Sequence, residues 1–196
     1  MRCVAVVGGS CSGKTTVARR LATTLGVPHV ELDALHHDPG WQEASAAVLQ
    51  ERVRTALASA SDGWVVDGNY RAKIGTLVLD RADTAVFLDP PLAVAFGRAL
   101  RRTVVRTLTG EELWNGNREQ LRHLFKRDWI PWWVLRTHRR YRREIPERLA
   151  AHDLAVVHLR SAAEVERRLQ SIQATATTSG SSGSSERQNV PPSVER

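Results

Sequence analysis

A short apolar, β-prone run, Cys3 to Val7, opens directly into Gly8-Gly9-Ser10-Cys11-Ser12-Gly13-Lys14-Thr15. Beyond it Val17, Ala18, Leu21, Ala22 and Leu25 recur at three- and four-residue steps until Gly26 and Pro28, the period of a helix with one apolar face. Strand, glycine-rich loop and helix in that order satisfy GxxxxGK[ST] in the context its chemistry requires. Glycines let successive backbone N–H groups turn inward, and the positive end of the following helix favours an anion. A phosphate chain is the expected guest. Its contacts would be Gly8, Gly9, Ser10, Cys11, Ser12, Gly13, Lys14, Thr15 and Thr16, with Lys14 bridging the terminal phosphates and the Thr15 hydroxyl ligating magnesium. The alternative is a glycine-rich turn with a surface lysine, which the flanking strand and helix disfavour.

The same alternation continues along the chain. Strands are expected at His29–Leu32, Trp64–Asp67, Thr84–Leu88 and Leu154–Leu159, and helices at Ala44–Ala60, from Pro91 to about Leu108 and from Ala162 to about Ile172. Strands separated by helices imply an α/β fold, a three-layer P-loop NTPase architecture with a mostly parallel five-stranded sheet and helices on both faces. Residues 109–133 break the pattern: they are polar, carry Gly110 and Gly116, and read as an inserted lid. The domain is expected to span 1–172. The Thr-, Ser-, Gly- and Pro-rich stretch 173–196 is expected to be a disordered tail.

Composition enters through charge. The net charge is +7, and residues 98–148 hold 14 Lys and Arg against 6 Asp and Glu, a local surplus of +8. Such a surface suits polyphosphate, nucleic acid or an anionic membrane face, and composition does not choose among them. No apolar stretch reaches the roughly 18 residues that span a bilayer, and Cys3 and Cys11 cannot build a disulfide framework, so a cytoplasmic location is expected.

In open α/β sheets ligands bind outside the carboxyl ends of the strands. Asp33, Asp67 and Asp89 each follow an apolar run. Asp67 is placed to hold magnesium, and Asp33 to take a proton from an attacking hydroxyl. Each could instead be a helix N-cap or turn residue, and for Asp89, followed by Pro90-Pro91, that reading is preferred. His36 and His37 lack the companions of a zinc site.

These residues resemble the small P-loop kinases: adenylate kinase and other nucleoside monophosphate kinases, gluconate kinase and shikimate kinase. Asp67-Gly68-Asn69-Tyr70-Arg71 is similar to the Asp-Gly-Phe-Pro-Arg segment of adenylate kinases, with Tyr70 in place of proline, and Asp33-Ala34-Leu35-His36 to the Asp-x-Leu-His segment of gluconate kinases. Leu32 to His36 with Pro39-Gly40-Trp41, Asp67 to Tyr70, Leu113 to Glu119 and the Arg-rich stretch after Trp132-Trp133 resemble a branch described as DNA topology modulation or adenylate-kinase-like proteins. The resemblance implies that Asp33, Asp67, Asn69, Tyr70 and Arg71 face an acceptor. In adenylate kinases two arginines four apart follow the Asp that ends the fourth strand. Arg98 and Arg102 match that spacing after Asp89, so Arg98 would stack on adenine and Arg102 would stabilise the transferring phosphoryl. A solvated basic face is the alternative for that helix, whose apolar side is expected to be Leu92, Phe96, Leu100, Val104 and Leu108. Trp114, Trp129, Trp132 and Trp133 are expected to pack in the core or lid, or else to shape the acceptor pocket.

The expected function is a kinase using ATP and Mg2+ to phosphorylate a small hydroxyl or phosphate acceptor, nucleotide-like compounds included, with Lys14, Asp33 and Arg102 as the catalytic groups. The expected partner is that small molecule, with the protein a monomer or weak dimer and no membrane involved. The alternative is a nucleotide-dependent nucleic-acid-binding ATPase. A regulatory GTPase is disfavoured because no Asn-Lys-x-Asp motif occurs.

Overall fold

A computed structural model describes residues 1–109, 112, 114–117 and 130–181. The elements run β1 (Cys3–Gly8), α1 (Lys14–Leu25), β2 (His29–Glu31), α2 (Leu32–His36), β3 (His37–Asp38), β4 (Gln42–Glu43), α3 (Ala46–Ala58), β5 (Trp64–Asp67), α4 (Arg71–Ile74), β6 (Thr84–Leu88), α5 (Leu92–Thr109), α6 (Ile130–Leu149), β7 (Ala155–Leu159) and α7 (Ala162–Ser181). Five strands form one sheet in the order β2-β5-β1-β6-β7, every pairing in it parallel. Side-chain alternation along β1 divides the core. Ala5 and Val7 pack with Leu49 and Val53 of α3 and with Ile145 and Leu149 of α6, while Val4 and Val6 pack with Val17, Ala18 and Leu21 of α1 and Leu169 of α7. Both faces are thus covered, as near-continuous apolar strands require. This is the α/β three-layer architecture expected.

Several features depart from expectation. Between β2 and α3 the chain forms α2 and a small antiparallel hairpin of β3 and β4, for which no element was expected, and Asp33 lies in the first turn of α2 directly after the second strand. The last helix runs to Ser181, past its expected end near Ile172; the rest of the expected tail, 182–196, lies outside the described residues. A 20-residue helix, α6, occupies the arginine-rich stretch for which no element was expected. Its apolar members are too few among the charges to announce a period, and contact with α5 and β1 stabilises it instead.

The apolar side of α5 also differs. Its buried positions are Ala95, Ala99 and Thr103, whereas Val104 and Leu108 are 55% and 80% exposed. A four-residue step advances about 40° beyond a full turn, so five residues spaced that way drift by about 160° and cannot share one face. The small side chains at 95 and 99 let α6 approach, with Val134 packed against them. Trp132 and Trp133 stay 49% and 40% exposed rather than packed, and Trp129 lies outside the described residues.

Candidate active site

The sheet order places β5 on one side of β1 and β6 on the other, so the cleft beyond the carboxyl ends of these strands is a topological switch point. The loop leaving β1 closes there. Ser12 N–H donates to the Gly9 carbonyl at 3.3 Å, and Gly13 caps α1 at φ 99°, a left-handed conformation that favours glycine. Cys11 shares that region at φ 58° and rests against the Ala95, Ala99 and Val134 cluster. Lys14 Nζ turns back into its own loop, donating to the Gly8 carbonyl at 3.2 Å and the Gly9 carbonyl at 2.9 Å. Burial pushes the Lys14 ammonium below its ordinary range; Asp33 and Asp67 oppose the shift and Arg102 adds to it. The ammonium therefore sits among the groups expected around a reacting phosphate, not on an open surface. Ser12 Oγ is buried without a partner. Thr16, by contrast, is exposed on α1.

Asp67 ends β5 at 3% exposure. The Thr15 hydroxyl donates to its Oδ2 at 2.7 Å, and the His29 ring meets its Oδ1 at 2.9 Å. The two expected magnesium ligands are therefore adjacent, one a hydroxyl and one a carboxylate, the hard oxygen donors that magnesium takes. Glu31 stands in register with Asp67 on the neighbouring strand. Burial, and then the charges of Asp67 and Asp33, push its carboxyl above the usual range against the pull of Trp114 and His29. Neither His29 nor Glu31 was singled out from sequence. The alternation His29-Val30-Glu31, with only Val30 fully buried, puts both on one side of β2 and was the signal available.

Beyond β5, where the acceptor-facing residues are expected, Gly68 at φ 137° turns the chain sharply, and a Cβ there would lie 2.7 Å from that of Leu32. The turn brings Asn69 and Tyr70 back over the loop. The Asn69 amide donates to the Gly8 carbonyl, so it braces the phosphate loop more than it faces open space. The Tyr70 hydroxyl donates to Asp33 Oδ1 at 2.5 Å and lies 3.4 Å from His37 Nε2. Burial, with the charge and hydrogen bond of Asp33 behind it, raises the Tyr70 phenol far above its ordinary value, so it remains a donor. Among the described residues no hydrogen bond engages the other Asp33 oxygen. His37 stacks on Trp114 with ring centroids 5.9 Å apart and meets Trp41 edge-on at 5.4 Å. The turn at Trp114–Gly116 is held on this hairpin by Asn117, which donates to the Asp38 carbonyl at 3.0 Å and accepts from Trp41 N–H at 2.7 Å. The described residues 114–117 of the expected lid thus dock on the β3–β4 hairpin.

The arginines divide. Arg98 donates to the Ser12 carbonyl at 2.9 Å, clamping the loop where adenine stacking was expected of it. Arg102 is close enough to Lys14 to depress it, and its Nε is buried without a partner. Arg142 pairs with buried Asp89 at 2.9 Å, and His158 meets the same carboxylate at 3.3 Å. Asp89 therefore fastens α6 to the sheet, a structural role, though an ion pair rather than the turn expected. Arg71 is exposed beside the Gly68 turn.

Measured against known proteins, the chain matches no family model and no curated sequence. Its fold is similar to that of a solved structure, shikimate kinase from Acinetobacter baumannii in complex with shikimate, at a TM-score of 0.54 and 17% identity over 91% of this chain and 94% of that one. The chain therefore shares the α/β fold of that structure, with the loop that follows β1 at the switch point of the sheet.

Proposed function

We propose that the protein is an ATP-dependent phosphotransferase acting on a small hydroxyl or phosphate acceptor. The observation that carries this reading is the meeting of Lys14, Thr15, Asp67, Asp33 and Arg102 at one strand-end cleft. Backbone N–H groups of residues 8–16, with Lys14, would hold the triphosphate, and Thr15 with Asp67 would hold Mg2+. The residues fit these guests: a cradle with a buried, unpartnered Ser12 hydroxyl, and paired hard oxygens. Bound magnesium would neutralise charge on the phosphate oxygens.

The chain's own part is positioning and proton handling. Lys14 exchanges its two carbonyl partners for phosphate oxygens, and Arg102 stabilises charge on the phosphoryl in transfer. Asp33, held by Tyr70, takes the proton of an acceptor hydroxyl as the new O–P bond forms and the bond to the ADP oxygen breaks, the electron pair leaving with ADP. The shikimate kinase likeness supports a small hydroxyl compound as acceptor, and the Asp67–Arg71 turn supports one with nucleotide features. Screening both classes for ADP release tests this: transfer to a member should fall about 10²-fold or more in Asp33→Asn. ADP release that no acceptor stimulates would count against the reading.

A second reading, nucleotide-dependent nucleic-acid binding, is favoured by one observation: Arg136, Arg139, Arg140 and Arg143 stand exposed on α6 beside Trp132 and Trp133. Its binding would weaken steeply with salt.

A further inference from the structure

We propose that His29 fixes how Asp67 presents itself to a cation, and that it thereby selects Mg2+ over Ca2+. The inference rests on the kinase reading, which assigns the ion to Thr15 and Asp67, and adds a specificity-determining residue outside the phosphate loop. Asp67 is buried at the end of β5, and its two oxygens have different partners. The Thr15 hydroxyl donates to Oδ2 at 2.7 Å, and the His29 ring meets Oδ1 through Nε2 at 2.9 Å. An acceptor-only carboxylate makes the ring nitrogen the donor of that bond.

Register explains why this histidine reaches that carboxylate. In the parallel pairing of β2 with β5, Glu31 stands opposite Asp67 and His29 opposite Val65, so side chains 29, 31 and 67 rise on one side of the sheet. Glu31 is engaged by the Trp114 side chain. Backbone pairing from His29 to Glu31 already joins the two strands, so the ring acts on the orientation of the carboxylate. The last torsion of an aspartate is broad, and a carboxylate held by Thr15 alone could swing to offer both oxygens. With Oδ1 bonded to the ring, Oδ2 is the oxygen left beside Thr15. That difference separates the two cations. Ca2+ takes about six to eight oxygens and accepts a carboxylate through both of them, whereas Mg2+ demands near-octahedral order, keeps its waters and takes few carboxylates. A carboxylate limited to one oxygen suits the smaller ion and denies the larger one a donor.

Titration calorimetry of the full chain with ADP alone, Mg-ADP and Ca-ADP gives the test, because it reads the contribution of each ion without turnover. The parent protein should bind Mg-ADP more tightly than Ca-ADP. In His29→Ala, Mg-ADP binding should weaken about tenfold or more, the scale on which partners that orient a metal ligand act, while Ca-ADP and ADP alone stay within about twofold of the parent. His29→Gln, whose amide N–H can reach the same oxygen, should recover most of the loss. A fall of the same factor for both ions, an unchanged preference in His29→Ala, or no recovery in His29→Gln would overturn the proposal, since the ring would then support the strand or nothing at all. A parent that binds ADP with no preference between the ions would overturn it while leaving nucleotide binding intact. A parent that binds no form of ADP would remove the kinase reading, and the proposal with it.

Discussion

Lys14 spends its contacts on the carbonyls of Gly8 and Gly9, so its ammonium is already centred where a phosphate would lie. Lys14→Ala should therefore lower phosphoryl transfer by about 10²- to 10³-fold, the scale of losing one preorganised stabilising donor, with the far-ultraviolet dichroism unchanged. A loss of helix signal would make the residue structural instead. Tyr70 carries a second prediction. Its hydroxyl bond to Asp33 is charge-assisted and partly buried, so Tyr70→Phe should destabilise the fold by about 1–2 kcal/mol in urea unfolding. An unchanged midpoint would mean that solvent replaces the bond at no cost.

Among the elements, the crossing of α5 and α6 is the tightest junction bearing on the site, because Ala99 is wholly buried between them. Ala99→Leu should cost about 1–3 kcal/mol by overpacking and should loosen the Arg98 clamp on the loop below. Thermal unfolding reads the first effect and nucleotide affinity the second; a neutral result would show that α6 yields freely. This junction also shows where sequence reading ends. The phosphate loop and the five strands were legible because Gly8 to Thr15 is a local pattern and Val4, Val65 and Val86 belong to apolar runs. The stripe of α5 does not follow the four-residue step of its large apolar residues, and α6 carries little local signal, because its burial comes from only a few positions such as Val134, Ile145 and Leu149 amid arginines. His29 and Glu31 escaped for another reason. Their roles arise from register with β5, which no local pattern encodes.

For the whole molecule, acid is the informative perturbation. Burial, then Lys73 and His37, push His36 below its ordinary value, and burial, then Arg142, do the same to His138. Both rings stay neutral in the fold below the pH at which they would protonate in an unfolded chain, so the unfolded state binds more protons there. Stability should accordingly decline as pH falls below about 6.5 and level off once the folded rings also protonate. Melting curves between pH 8 and pH 5, as approximate limits, should show that decline lessened in His138→Gln; an identical slope in the variant would exclude its contribution.

The account depends above all on a triphosphate entering the loop after β1. A crystal structure with Mg2+ and a non-hydrolysable ATP analogue should show Lys14 Nζ released from the Gly8 and Gly9 carbonyls onto phosphate oxygens, with metal between Thr15 and Asp67. An analogue bound elsewhere, with Lys14 still on those carbonyls, would contradict it.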